Sequence, residues 1–273
     1  MMSATQEHSV SPHKQGQVRL QFENPPVTET AIGFYFQKIE GWHLLHQGVL
    51  WDKFLPKYPE LETLPTILDV APQQKVLFDL NSPTLRTGFT NRERTQLVQV
   101  QDGLLLHNWR KTTESPKYHR YAEIREQLRE DWSTFRGYLR QRSLKEPVVS
   151  RCEVSYFNNL VRNEDWKDFS DLSEIFTVWR GLPHSNSYGT VQMAVFNVFY
   201  QLDSGVANIA VQPAIRSSDG KEIIQFTLTC SVTPKTSEDD ELFHCLDECH
   251  ENARRVFVDF TTDEVRERWR QIK

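Results

Sequence analysis

Apolar positions change their period several times along this 273-residue chain, and the changes mark its elements. Residues 1–23 are polar, rich in Gln, Ser and His and without sustained periodicity, which predicts a flexible tail with a short strand at QVRLQF. After Pro25 and Pro26, Val27, Glu29 and Ala31 alternate with Thr28, Thr30 and Ile32 before Gly33-Phe34-Tyr35-Phe36. This is a strand, opened by prolines where a missing N–H is tolerated. Trp42, Leu45 and Val49, with Leu44, Trp51 and Leu55 beside them, then predict one face of an amphipathic helix that Pro56 and Pro59 stop. TLRTGFTN and TQLVQVQ read as strands, and Asp102-Gly103 as a two-residue type I′ turn leading into the returning strand LLLHNWRK. Ser115 and Pro116 suit a helix start, and Tyr121, Ile124, Leu128, Trp132, Phe135 and Leu139 form one continuous stripe after it.

Beyond Pro147 a similar order returns. VVSRCEVSYFNNLV predicts a strand, EDWKDFSDLSEIFTVWR a helix, and GTVQMAVFNVFYQL, VANIAVQPAIRS and KEIIQFTLTCSV three strands joined by turns. A last long helix carries the stripe Leu242, Leu246, Cys249, Ala253, Val256 and Phe260, with Ser237 and Asp240 placed as a capping box, and a short helix follows from about Thr262. Element order therefore predicts an α+β fold made of a pseudo-duplicated unit, 24–145 and 146–273, each running strand, helix, antiparallel strands, long helix. Helix-grip and TATA-binding-protein-like sheets have this layout, which carries no function by itself.

Composition narrows the function classes. The formal net charge is −5 and no basic tract appears, so nucleic acid is not the favoured partner. The chain contains no apolar run of membrane-spanning length, and its four cysteines are few; both features predict a soluble cytoplasmic protein with free thiols and no membrane association.

Candidate chemistry is sparse. In FHCLDECHE, Cys245 and Cys249 share a helical face, but a structural zinc site needs four ligands and no second pair has metal-like spacing. Cys249 also lies in the apolar stripe, so no metal is predicted. His184, in the polar loop GLPHSNSYG, is the histidine best placed to line a cleft. Nucleophile-elbow, zincin, phosphate-loop and dinucleotide motifs are missing, and no cofactor is predicted. SDGKEII, with Asp219, Lys221 and Glu222, is a faint carboxylate cluster whose Asp219-Gly220 is already explained as a turn. Three Trp-Arg dipeptides, at 109–110, 179–180 and 269–270, suit base stacking or partner anchoring, although neighbours on a strand face opposite ways.

The hairpin is the richest window. A two-residue turn pairs Val100 with Leu105, Val98 with His107 and Gln96 with Trp109 on one face, which makes His107 a core histidine with one hydrogen bond. The other face pairs Gln101 with Leu104, Gln99 with Leu106 and Leu97 with Asn108. Buried amides must be paired. Gln99, Gln101 and Asn108, with Arg110 beside them, are therefore read either as packing against the other half or as a ligand groove.

The motifs NPPVTETAIGFYF, LVQVQDGLLLHNWRK, ESPKYHRYAEI and CEVSYFNNL, in that order over residues 25 to about 160, resemble an uncharacterised prokaryotic family of sporadic distribution. Glu153, Tyr156 and Asn158 match its Glu-x-x-Tyr-x-Asn strand. The resemblance implies no known activity; sporadic distribution suggests a defence or stress system. The leading expectation is a non-enzymatic binding or scaffold protein that takes a protein partner or small ligand in a cleft between its halves. The alternatives are a hydrolase or nuclease with dispersed acidic residues, and a nucleic-acid-binding protein using Trp-Arg surfaces.

Overall fold

The structure, a computed structural model, describes residues 21–23, 25–67, 85–112, 118–180 and 191–272. Helices pack on a nine-stranded antiparallel sheet, an α+β architecture. The strand that follows the prolines, β2 (Val27–Phe36), lies near the middle. The strand that opens the second stretch, β7 (Val149–Val161), pairs with it antiparallel. Outward from β2 run β6 (Leu104–Arg110), β5 (Gln96–Gln101), β4 (Arg86–Thr90) and β3 (Glu60–Leu64). Outward from β7 run β10 (Glu222–Val232), β9 (Val206–Ile215) and β8 (Phe196–Gln201). A separate two-residue strand, β1 (Gln21–Phe22), pairs with β11 (Gln271–Ile272).

The hairpin register is as expected at all six positions. The turn is not. Of its two residues only Gly103 takes a positive φ, 97°, whereas a type I′ turn needs both. Gly103 also gives its carbonyl to the Phe36 N–H at 2.8 Å, so the loop is shaped by β2 as well as by its own strands. Gly33 answers a different demand. A Cβ there would stand 2.2 Å from the Leu105 carbonyl oxygen, so only a residue without one lets β2 lie against β6.

Three helices cover one face. On α2 (Tyr121–Gln141) the expected stripe is in place, with Ile124, Leu128, Trp132, Phe135 and Leu139 buried. On α4 (Asp239–Phe260), Leu242, Leu246, Cys249, Ala253 and Phe260 are buried, and Phe257 takes the fuller contact beside the partly buried Val256. Both helices meet over Phe34, whose ring lies 4.7 Å from Trp132 and 5.6 Å from Phe243. They run antiparallel and are tied along their seam. Trp132 Nε1 and Arg136 Nη1 donate to Asp239, and Arg125 donates twice to Asp247, at 2.8 and 3.0 Å.

Other expectations fail for stated reasons. On α1 (Leu44–Phe54) the buried positions are Gln47, Leu50 and Phe54, while Leu45 is 82% exposed and Val49 37%. The true inward face contains a glutamine, held by the Leu85 carbonyl and by Thr87, and a polar residue hides that face from a hydropathy pattern. Ser237 does not cap α4; its hydroxyl accepts the Val149 N–H, and Glu238 occupies the cap position without a side-chain bond. The helix expected over 164–180 shrinks to a 3-10 turn at Phe169–Asp171 and a single turn, α3 (Leu172–Ile175). Asp168 and Asp171 cap that turn reciprocally, while Trp166 and Phe176 are drawn into the core. Of the strand expected from 189, residues 189–190 lie outside the described residues, 191–195 are irregular, and the strand begins at Phe196.

Candidate ligand cavity

The hairpin residues come first, since the sequence points to them. His107 is a core residue, 1% exposed, with its Nδ1 2.6 Å from the Asp131 carboxylate of α2. Asp131 also accepts from the Tyr58 hydroxyl at 3.0 Å, and Lys57 stands 3.6 Å away. His107 Nε2 is buried and has no partner.

On the opposite sheet face, Gln99, Asn108 and Arg110 do form one row. Gln99 Nε2 donates to Asn108 Oδ1 at 2.7 Å, Arg86 donates to Gln99 Oε1 at 2.7 Å, and Asn108 donates to Glu29. Arg110 joins Glu29 at 3.3 Å and Glu62 at 2.9 Å. Gln101 turns aside and exchanges two bonds with the Ile67 backbone. These partners all belong to the N-terminal half, so the amides do not bond across to the other one. Two carboxylates and a backbone segment already occupy the groups a ligand would use. His184 lies outside the described residues.

The remaining candidates disperse. Trp109 and Trp269 are buried, Trp179 packs against Phe196, and Arg270 pairs with Glu23, so the Trp-Arg dipeptides make no joint surface. Asp219 is held by Arg216, whose hydrogen bond lowers its pKa to about 2, while Lys221 and Glu222 pair with Glu164 and Arg162. All four cysteines are buried and free, contributed by β7, β10 and α4. Burial pushes Cys230 up to about 12 and Cys245 up to about 11, so these are unreactive thiols. Among the described residues no cluster of three or more His, Cys, Asp or Glu is arranged for a metal ion.

A site that the sequence did not announce lies between the long helices and the sheet. A cavity of about 380 Å³ opens where the start of α2 passes the middle of α4, over the beginning of β2 and the far end of β7. Phe22, Tyr118, Tyr121, Tyr156 and Phe257 supply aromatic walls, and Arg120, Asn158, His250 and Arg254 polar groups. Among the described residues no Asp or Glu lines it. The Tyr121 and His250 rings stack in parallel, centroids 4.0 Å apart and planes 8° apart. The stack is fixed from behind by the Tyr121 hydroxyl, which donates to Asp247 at 2.8 Å. The Tyr156 hydroxyl stands 2.6 Å from His250 Nδ1.

Protonation states follow from burial. Removal from water holds the His250 imidazole down to about 4, with the nearby Arg254 charge pushing the same way. Burial also raises the phenols: Tyr118 up to about 12, and Tyr156 and Tyr121 well above their usual value. At neutral pH, Tyr156 is therefore a protonated phenol beside a neutral imidazole. The two share one hydrogen bond at Nδ1, in which either group can be the donor.

The cavity was hard to foresee because its lining comes from six separated stretches of chain. One signal was present. His250 lies four residues beyond Leu246 and next to Cys249, on the edge of the α4 stripe, where a polar ring borders the core.

Fold and cavity together describe an α+β protein with a half-open aromatic cavity. No family model, curated protein or solved structure matches the chain. Among the described residues no helix is long and apolar enough to cross a membrane.

Proposed function

We propose that this protein binds a small molecule in the cavity between its halves, 24–145 and 146–273. One observation carries the reading: a half-open cavity takes Pro25, Tyr118 and Tyr121 from one half and Tyr156, His250 and Phe257 from the other. In this reading the chain is a duplicated α+β unit, and the pairing of β2 with β7 is the seam along which a cleft arises. The Tyr156–His250 pair has both members in their uncharged forms, which suits recognition by hydrogen bonds more than proton abstraction. The free thiols fit a reducing cytoplasm, and a role in a defence or stress system would make the ligand a signal.

Phenylnaphthylamine, a neutral aromatic dye that fluoresces in apolar surroundings, tests the reading. The expected result is saturable binding at one site per chain. Ala122→Trp, at the cavity mouth on the first turn of α2, should abolish it while leaving the circular dichroism melting curve in place. Undiminished dye binding in that variant would overturn the assignment.

A further inference from the structure

We infer that β8, the terminal strand of the sheet, is a docking edge for a second copy of this chain, the two strands pairing antiparallel about Phe199. The inference is independent of the cavity, to which β8 contributes no residue.

The direction of the main-chain groups comes first. The Leu202 N–H donates to the Gly205 carbonyl at 3.0 Å and closes the turn between β8 and β9. Antiparallel pairing alternates, and the β8–β9 register is unbroken, so Phe196, Val198 and Tyr200 turn their N–H and C=O groups toward β9. Asn197, Phe199 and Gln201 turn theirs outward along the sheet edge. Side chains follow the same alternation. Phe196 packs against Phe176 and Phe260 on the helix side, so Val198 and Tyr200 share that face and Asn197, Phe199 and Gln201 take the other. All three of these are exposed, Phe199 to 49%.

The occupant follows from what this edge lacks and from its symmetry. FNVFYQ contains no charge and no proline, the devices that guard an edge against strand addition. The strand at the other end of the sheet, β3, has Glu60 and Glu62, which meet like charge in any self-pairing. β8 is instead self-complementary. A two-fold axis normal to the sheet at Phe199 sets that ring against its own copy and Asn197 against Gln201 on either side. On the helix face it sets Val198 against Tyr200. This register uses all three outward residues, in about six main-chain hydrogen bonds. It also directs Asp203, just beyond the strand, toward Val195 of the other copy, so no like charges meet. Met193, Val195, Phe199 and Tyr200 are 37–67% exposed. Covering them in both chains, with the edge backbones, is on the scale of the ~1,000 Å² that a specific interface needs. The result is one continuous sheet with the helices of both copies on the same side.

Sedimentation velocity on the full chain at micromolar concentration should show twice the mass of one chain. Phe199→Lys sets two ammonium groups at the axis and should give the monomer, with the far-ultraviolet circular dichroism spectrum unchanged. Two double variants check the register. Asn197→Lys with Gln201→Lys should weaken association about tenfold or more, whereas Asn197→Lys with Gln201→Glu, which sets opposite charges face to face, should keep the dimer. A monomeric unmodified protein, which would leave the edge to a strand of some other protein, overturns the inference. So does a dimer that survives Phe199→Lys, growth beyond two chains, or equal weakening by the two double variants.

Discussion

Two histidines in this molecule make the same bond and end in opposite situations. His107 and His250 each place Nδ1 2.6 Å from an oxygen, Asp131 in one case and Tyr156 in the other. A carboxylate can only accept, so His107 donates through Nδ1 and its Nε2 is sealed in the core without a partner. A phenol can donate or accept, so either His250 tautomer can make the bond to Tyr156, and the ring lines a cavity. The surroundings, more than the histidine, separate a pair sealed in the core from one that borders open space. The hairpin residue drew notice in the sequence because it stood among leucines; the helix residue, on the margin of a stripe, is the one with somewhere to reach.

The comparison breaks most sharply at Asp131. Asp131→Ala leaves His107 and Tyr58 buried without their acceptor, and urea denaturation should show a loss of about 3–5 kcal/mol. A loss under about 1 kcal/mol would mean that His107 is not held as described. Acid separates the two sites next. The folded His250 has a pKa below that of the unfolded chain, so between these values the unfolded state binds more protons and stability falls with falling pH. It should be complete above pH ~6.5 and decline toward pH 4, by on the order of 2–3 kcal/mol. His250→Phe should flatten that part of the pH–stability curve, and an unchanged curve would assign the loss elsewhere.

Tyr156→Phe isolates the contact at Nδ1 at smaller cost. Removing one hydrogen bond should lower stability by about 1 kcal/mol. It should also shift the Nδ1 resonance of the His250 imidazole, with the His107 signals unmoved as an internal standard. Smallest of all is Arg110→Gln on the far sheet face, where partly exposed pairs with Glu29 and Glu62 are worth less than about 1 kcal/mol. The cavity should not register that change.

How much of this was legible in the sequence follows from the range of the interactions. The hairpin register was, because a two-residue loop fixes its strands locally, and so were the stripes of α2 and α4, because their faces are broad and purely apolar. The inward face of α1 was not. Gln47 is buried there on hydrogen bonds from a strand about forty residues away, while apolar Leu45 stands in water. The 164–180 helix was overestimated because Trp166, Phe169 and Phe176 have helical spacing, yet turn chemistry at Asp168 and Asp171 bends the chain around them. The amide row was recognised as a set, but the carboxylates that claim it, Glu29 and Glu62, come from strands whose order in the sheet no local pattern states. The cavity was least visible, since Tyr121, Tyr156 and His250 meet only after the two long helices have docked over the seam between β2 and β7.

The pairing of β1 with β11 has a consequence for how one wall of the cavity is held. Phe22 packs on Phe257 and Trp269 while its backbone is clasped by residues 271–272. That clasp is separate from the nine-stranded sheet, so the wall is hinged on a two-stranded latch that can loosen while the sheet stays intact.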